Sequence, residues 1–175
     1  PGCILRLGEL EARYRCERSS APLYPADEAV FEELYGHTPV MRRLFGLLER
    51  VAETSLTVLL VGETGTGKEL AARALHARSP RRRGPFVTVD CGAVNAELVD
   101  SHLFGHERGA FTGASRARPG AFVRARGGTV FLDEIGELPL HRQPKLRRAL
   151  ERREVLPPGA SEPTPLDVRV LAATH

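Results

Sequence analysis

The 175-residue chain is 42% hydrophobic and 27% charged with a formal charge of +3, which suits one ordinary domain with some flank and enough apolar material for a core. No apolar run reaches the ~18 residues of a bilayer span, and no basic-then-apolar leader opens the chain. Cys3, Cys16 and Cys91 are too few and too unevenly spaced for a disulfide framework or a zinc set, so a reducing, cytoplasmic setting is expected.

The chain opens on Pro1, not Met, as a segment from within a longer protein would. Residues 4–7 and 10–15 read as two strands around a Gly8-Glu9 turn, the end of a β-rich unit over 1–16. Ser19, Ser20, Pro22 and Pro25 give 17–33 the composition of a linker. A helix is expected from Thr38 as cap and Pro39 as first residue, with Val40, Leu44, Leu47, Leu48 and Val51 on its packing face. Strand and helix then alternate: strands over 56–61, 86–90, 129–132 and 168–172, helices over 68–77, 95–103 and 144–153. Apolar strands between helices predict an α/β fold, a parallel sheet covered on both faces. Arg81-Arg82-Arg83 is the densest basic run; a solvated loop and a phosphate or nucleic-acid contact both fit it.

Gly62-Glu63-Thr64-Gly65-Thr66-Gly67-Lys68 lies between a buried strand and a helix, the context of a phosphate-binding loop. Its glycines let backbone N–H groups turn toward phosphate oxygens at a helix N-terminus. The chain uses arginine almost everywhere and has only two lysines, Lys68 and Lys145. A compact ammonium at 68 fits between β- and γ-phosphates where a planar guanidinium does not. Glu69 takes the place of the Ser or Thr whose hydroxyl usually meets magnesium, so the metal must be held elsewhere. Asp133-Glu134 ends the third strand, where an acid faces the nucleotide. Asp133 can hold Mg2+, and Glu134 can polarise an attacking water, which favours hydrolysis. Thr174-His175 ends the fourth strand at the same edge; sensing of the γ-phosphate and a structural role are both open. Gly109-Ala110-Phe111-Thr112-Gly113-Ala114 sets an aromatic between glycines without helical or strand period. Its Phe111 either meets a partner from the tip of a loop or tucks back into the core.

Four segments together, 62–69, 103–114, 127–135 and 167–175, resemble the sigma-54-dependent transcriptional activators, bacterial enhancer-binding proteins of the AAA+ class. The resemblance runs from about Tyr35 to His175, and the 109–114 hexapeptide is its specific signal. It implies a P-loop NTPase three-layer α/β sandwich over 34–175, the AAA+ core without its helical lid. It implies ATP at 62–69, a Walker B pair in Asp133 and Glu134, and a Glu69 shared with the family. Phe111 and Thr112 would touch the sigma-54 factor of RNA polymerase. Hydrolysis in a ring, typically a hexamer, would remodel the closed promoter complex. The 152–165 stretch would be a second insertion beside the loop. Arginine fingers, a second sensor, the lid and a DNA-binding domain would follow His175. Residues 1–16 faintly resemble the last strands of a forkhead-associated domain.

Three positions differ from the family's pattern. Asp90 replaces an Asn that can hold the catalytic Glu back, and an ionised acid has no N–H to offer Glu134. Val123 and Pro157 replace a Glu and an Arg thought to communicate; losing both leaves no unpaired charge. A nucleotide-controlled module that does not hydrolyse, and another kind of AAA+ remodeller, are the alternatives.

Overall fold

The computed structural model describes residues 3–7, 10–14, 26–93, 98–111 and 114–175. Strands β1 (Cys3–Leu7) and β2 (Leu10–Tyr14) pair antiparallel, and β3 (Val30–Phe31) and β4 (Leu34–Tyr35) form a second short hairpin. Helix α1 (Pro39–Ala52) follows, then β5 (Val58–Val61), α2 (Lys68–Ala77) and β6 (Phe86–Asp90). Helix α3 (Val99–Phe104) leads into β7 (Gly105–His106), which pairs with β8 (Arg118–Pro119). The chain continues through α4 (Ala121–Arg124), β9 (Thr129–Asp133), a 3-10 turn (Ile135–Glu137) and α5 (Gln143–Arg152). Strands β10 (Glu154–Val155) and β11 (Thr164–Pro165) make a last hairpin before β12 (Arg169–Thr174).

The four apolar strands form one parallel sheet in the order β5-β12-β9-β6. Strand alternation splits their side chains between two cores. Phe131, Leu171 and Ala173 face α1 and α2, while Val130, Leu132, Val170 and Ala172 face α3, α4 and α5. This is the expected three-layer sandwich. Because all four strands run the same way, their carboxyl ends share one edge. Val61, Asp90, Asp133 and Thr174 are the last residues of the four strands, and each loop that leaves them starts from that edge.

Several boundaries differ from the sequence reading. Helix α1 has the expected Thr38 cap, whose hydroxyl accepts the Met41 N–H. Its buried side is Phe45, Leu48 and Ala52 rather than the stripe expected. Val40, Leu44 and Leu47 lie about a quarter-turn round the helix and are exposed. Phe45 wins because it stacks on Phe31, with ring centroids 6.3 Å apart. Phe31 is itself fully buried, so from Ala26 the span read as linker lies against the core. The helix expected over 95–103 is described as Val99–Phe104, and its first residues, 95–97, lie outside the described residues. The last strand runs to Thr174, two residues beyond expectation. In the basic run, Arg81 pairs with Asp167 at 2.6 Å, while Arg82 and Arg83 are exposed.

Candidate functional site

The phosphate loop leaves β5 and turns through Gly65 and Gly67, at φ +83° and +86°, values that glycine adopts without a side-chain clash. The Gly62 N–H donates to the Thr174 carbonyl at 3.2 Å, tying the loop's first residue to β12. Thr66 Oγ1 donates to the Glu63 carbonyl at 2.7 Å and closes the loop. Gly67 caps α2 without a side-chain bond, so the helix's first N–H groups open on the cleft. Lys68 Nζ donates to the carbonyls of Gly62, at 2.7 Å, and Glu63, at 3.2 Å. Glu69, the fifth-strand-side neighbour of that ammonium in sequence, pairs with Arg73 one turn on at 2.7 Å.

Asp133 and Glu134 face this loop. A cleft of about 330 Å³ is lined by Thr64, Gly65, Gly67, Lys68, Glu69, Leu70, Asp133 and Glu134. Burial raises the Asp133 pKa above the ordinary carboxylate value; the charges of Glu134 and Asp90 push the same way, and the Glu134 N–H and Lys68 oppose it. That N–H donates to Asp133 Oδ1 at 3.0 Å. Glu134 has a left-handed backbone, φ 48° and ψ 49°, which is uncommon for a residue with a side chain. Its Oε2 accepts from His175 Nδ1 at 2.8 Å.

Asp90 ends β6 in register with Asp133. Its Oδ1 accepts the N–H groups of Gly92 and Ala93, both at 2.9 Å, which is a local turn. Next to it, burial and the charges of Asp90 and Asp133 push the Cys91 thiol up to about 12.

A magnesium ion is compatible with this donor set. No group of three or more acidic, His or Cys side chains could cage a metal among the described residues. Magnesium, however, typically takes one or two carboxylates and completes its shell with water and phosphate oxygens. Asp133, partly buried beside Lys68, offers that kind of site.

The 109–114 segment lies at the tip of the β7–β8 hairpin, apart from the cleft. Phe111 does not tuck into the core: it is 43% exposed. It packs edge-on against His106, with centroids 5.0 Å apart. His106 is fixed by Ser101 at 2.7 Å and the Arg116 carbonyl at 3.0 Å. Gly109 N–H donates to the Ala114 carbonyl at 2.8 Å. Thr112 and Gly113 lie outside the described residues.

Two contributors escaped the sequence reading. Leu34, on the β3–β4 hairpin, reaches within 3.8 Å of where a Gly67 side chain would begin. The turn at Pro157–Ala160 supports the Phe111 loop: the Glu107 N–H donates to the Pro158 carbonyl at 2.9 Å. Gly159, at φ +84°, sits so close that a Cβ there would be 3.2 Å from the Ala110 Cβ. The run Pro157-Pro158-Gly159 marked a turn, but nothing local said what it would touch. A larger hollow, about 560 Å³, lies between α5 and this turn. Its lining contains neither the phosphate loop nor the acid pair, so the smaller cleft carries the chemistry.

Residues 34–175 match the family model described as the sigma-54 interaction domain. The sigma-54-dependent transcriptional activator SfnR of Pseudomonas putida is 53% identical over 150 residues, covering 86% of this chain and 40% of that protein. The DNA-binding transcriptional regulator NtrC of Azospirillum brasilense is 49% identical over 154 residues, covering 86% of this chain and 32% of its own length. The chain thus spans well under half of these relatives. Among solved structures, NtrX from Brucella abortus in complex with ATP superposes with a TM-score of 0.73 at 37% identity, over 81% of this chain and 30% of that one. The parallel sheet, its loop and its acid pair are therefore those of a known class: the chain belongs to the sigma-54 interaction domain family of transcriptional regulators.

Proposed function

We propose that this chain carries the ATP-hydrolysing part of an activator that remodels sigma-54 RNA polymerase at closed promoters. The observation that carries the reading is the meeting of Lys68, Asp133 and Glu134 around one cleft. ATP would lie on residues 62–69 with its phosphates on the loop N–H groups and Lys68 Nζ; the ATP complex of NtrX supports that ligand. Asp133 would hold Mg2+, which when bound offsets charge on the phosphates. Glu134 would orient a water and take its proton as the water oxygen bonds to the γ-phosphorus. The bond from that phosphorus to the bridging oxygen breaks, and ADP leaves with the electron pair.

Phe111, exposed at a hairpin tip on the other side of the molecule from the α1–α2 layer, would meet sigma-54, together with Gly109, Ala110, Thr112, Gly113 and Ala114. The rest of the assembly, a ring of copies and a DNA-binding domain outside this chain, follows from the family, and regulation of transcription places the protein in the cytoplasm. Among the described residues no helix is long and apolar enough to cross a membrane.

Glu134→Gln in the full-length protein tests this reading. Turnover should fall about 100-fold or more while ATP binding is retained. Unchanged turnover would remove the hydrolytic role.

A further inference from the structure

We propose that His175, rather than the residue preceding Cys91, is the positioning residue that aims the Glu134 carboxylate at the attacking water. The proposal rests on the hydrolytic reading above. Glu134 leaves β9 in a left-handed conformation, so its side chain departs from the line of the strand and needs a partner to fix it. Among the described residues that side-chain partner is His175, whose Nδ1 lies 2.8 Å from Oε2. A carboxylate only accepts, so Nδ1 carries the proton. The bond occupies Oε2 and leaves Oε1 to accept from water.

Asp90 is poorly placed for this work. It lies one strand over, in register with Asp133, but its Oδ1 already takes two backbone N–H groups. A carboxylate there has no N–H to give to a second carboxylate.

The backbone just before His175 is anchored on three sides. Thr174 pairs with Val61 across the sheet. Its carbonyl accepts the N–H of Gly62 at the start of the phosphate loop. Its Oγ1 occupies the space beside Gly136, where any Cβ would lie 2.8 Å away. One strand end therefore touches the loop that would cradle the phosphates and the turn that follows Glu134. A shift of Gly62 reaches Glu134 through Thr174 and His175 without passing through residue 90.

Four variants of the full-length protein test this: His175→Ala, His175→Asn, the double change His175→Ala with Asp90→Asn, and Glu134→Gln. ATP affinity is measured directly, and kcat and KM separately. His175→Ala should lower kcat by about 10- to 100-fold, the range for a displaced catalytic group, with the Kd for ATP within about twofold of wild type. His175→Asn keeps an N–H donor and should recover much of kcat. Adding Asp90→Asn to His175→Ala should recover part of it, because an amide at 90 can donate where an acid cannot. If His175→Ala instead weakens ATP binding and spares kcat, His175 touches the phosphate and the proposal is overturned. Equal loss in His175→Ala and His175→Asn overturns it as well. Glu134→Gln separates the two levels: if that variant turns over normally, the hydrolytic reading fails; if it is dead while His175→Ala is unaffected, only the positioning role fails.

Discussion

His76 is a buried imidazole at the C-terminal end of α2. Its Nδ1 meets Thr129 Oγ1 at 2.9 Å, and its ring leans on Phe86 with centroids 5.2 Å apart. Burial is the main force pulling its pKa below 6.5; the charge of Arg169 pulls the same way and a backbone bond at Gly84 resists. A folded value below the unfolded one means that in acid the unfolded chain binds a proton the folded chain refuses. This share of the stability is complete above pH 6.5, declines as pH falls through the folded value, and levels off below it. Thermal unfolding followed across that window should show the decline, and His76→Gln should make it shallower. Such a residue is hard to see in sequence, because a histidine inside a helical pattern looks the same whether buried or solvated. The phosphate loop and Asp133-Glu134 were legible for the opposite reason: phosphate chemistry needs those residue types at fixed local spacing, next to a strand. The His175–Glu134 bond joins positions 41 residues apart, and no local spacing encodes it.

The β7–β8 hairpin and the turn at 157–160 act as a pair of elements. Val123 and Pro157 lack the charges that would let them attract each other, yet the two regions are joined by the Glu107–Pro158 backbone bond and by Gly159 against Ala110. Gly159→Ala should disturb that joint. Its Cβ would come within 3.1 Å of the Glu107 Cβ on a backbone at φ +84°, at a local cost of about 1–2 kcal/mol. The expected outcome is a full-length protein with kcat for ATP within about twofold of wild type and several-fold weaker capture of sigma-54 in a pull-down with a transition-state mimic. Equal loss of both would mean that the turn supports the whole fold rather than the loop. Helix α1 shows why element faces are harder to read than element existence. Its two apolar stripes are both regular, and only Phe31, contributed by a segment with linker-like composition, decides which one is buried.

For the whole molecule, alternation of strand and helix was enough to predict a covered parallel sheet, but not its order. A right-handed crossover looks alike in sequence whether it passes over no strand or two, and here α2 carries the chain from one edge of the sheet to the other. One residue binds the layers across that order. Arg169, 1% exposed at the start of β12, donates to the carbonyls of Val51 at 2.8 Å, Ala52 at 2.9 Å and Leu56 at 3.3 Å. Those are carbonyls at and just past the C-terminal end of α1, where the helix dipole favours a cation. Burial lowers the guanidinium pKa, with Arg81 adding to it, and no carboxylate pairs with it among the described residues. Arg169→Ala would leave three carbonyls without their donor, and urea unfolding should show a loss of about 3 kcal/mol or more. Arg169→Lys should retain only part of it, because one ammonium cannot span all three acceptors.

The shortage of lysine has its own consequence. Among side chains, only Lys68 and Lys145 carry amines. Lys145 is held by Asp100 at 3.3 Å and over the Phe104 ring at 4.5 Å, while Lys68 is held by two loop carbonyls inside the cleft. An amine-selective reagent therefore meets two well-separated targets, one acting as an internal standard and the other reporting on whatever fills the loop. The protein carries its own reporter of occupancy, without any label having to be engineered into it.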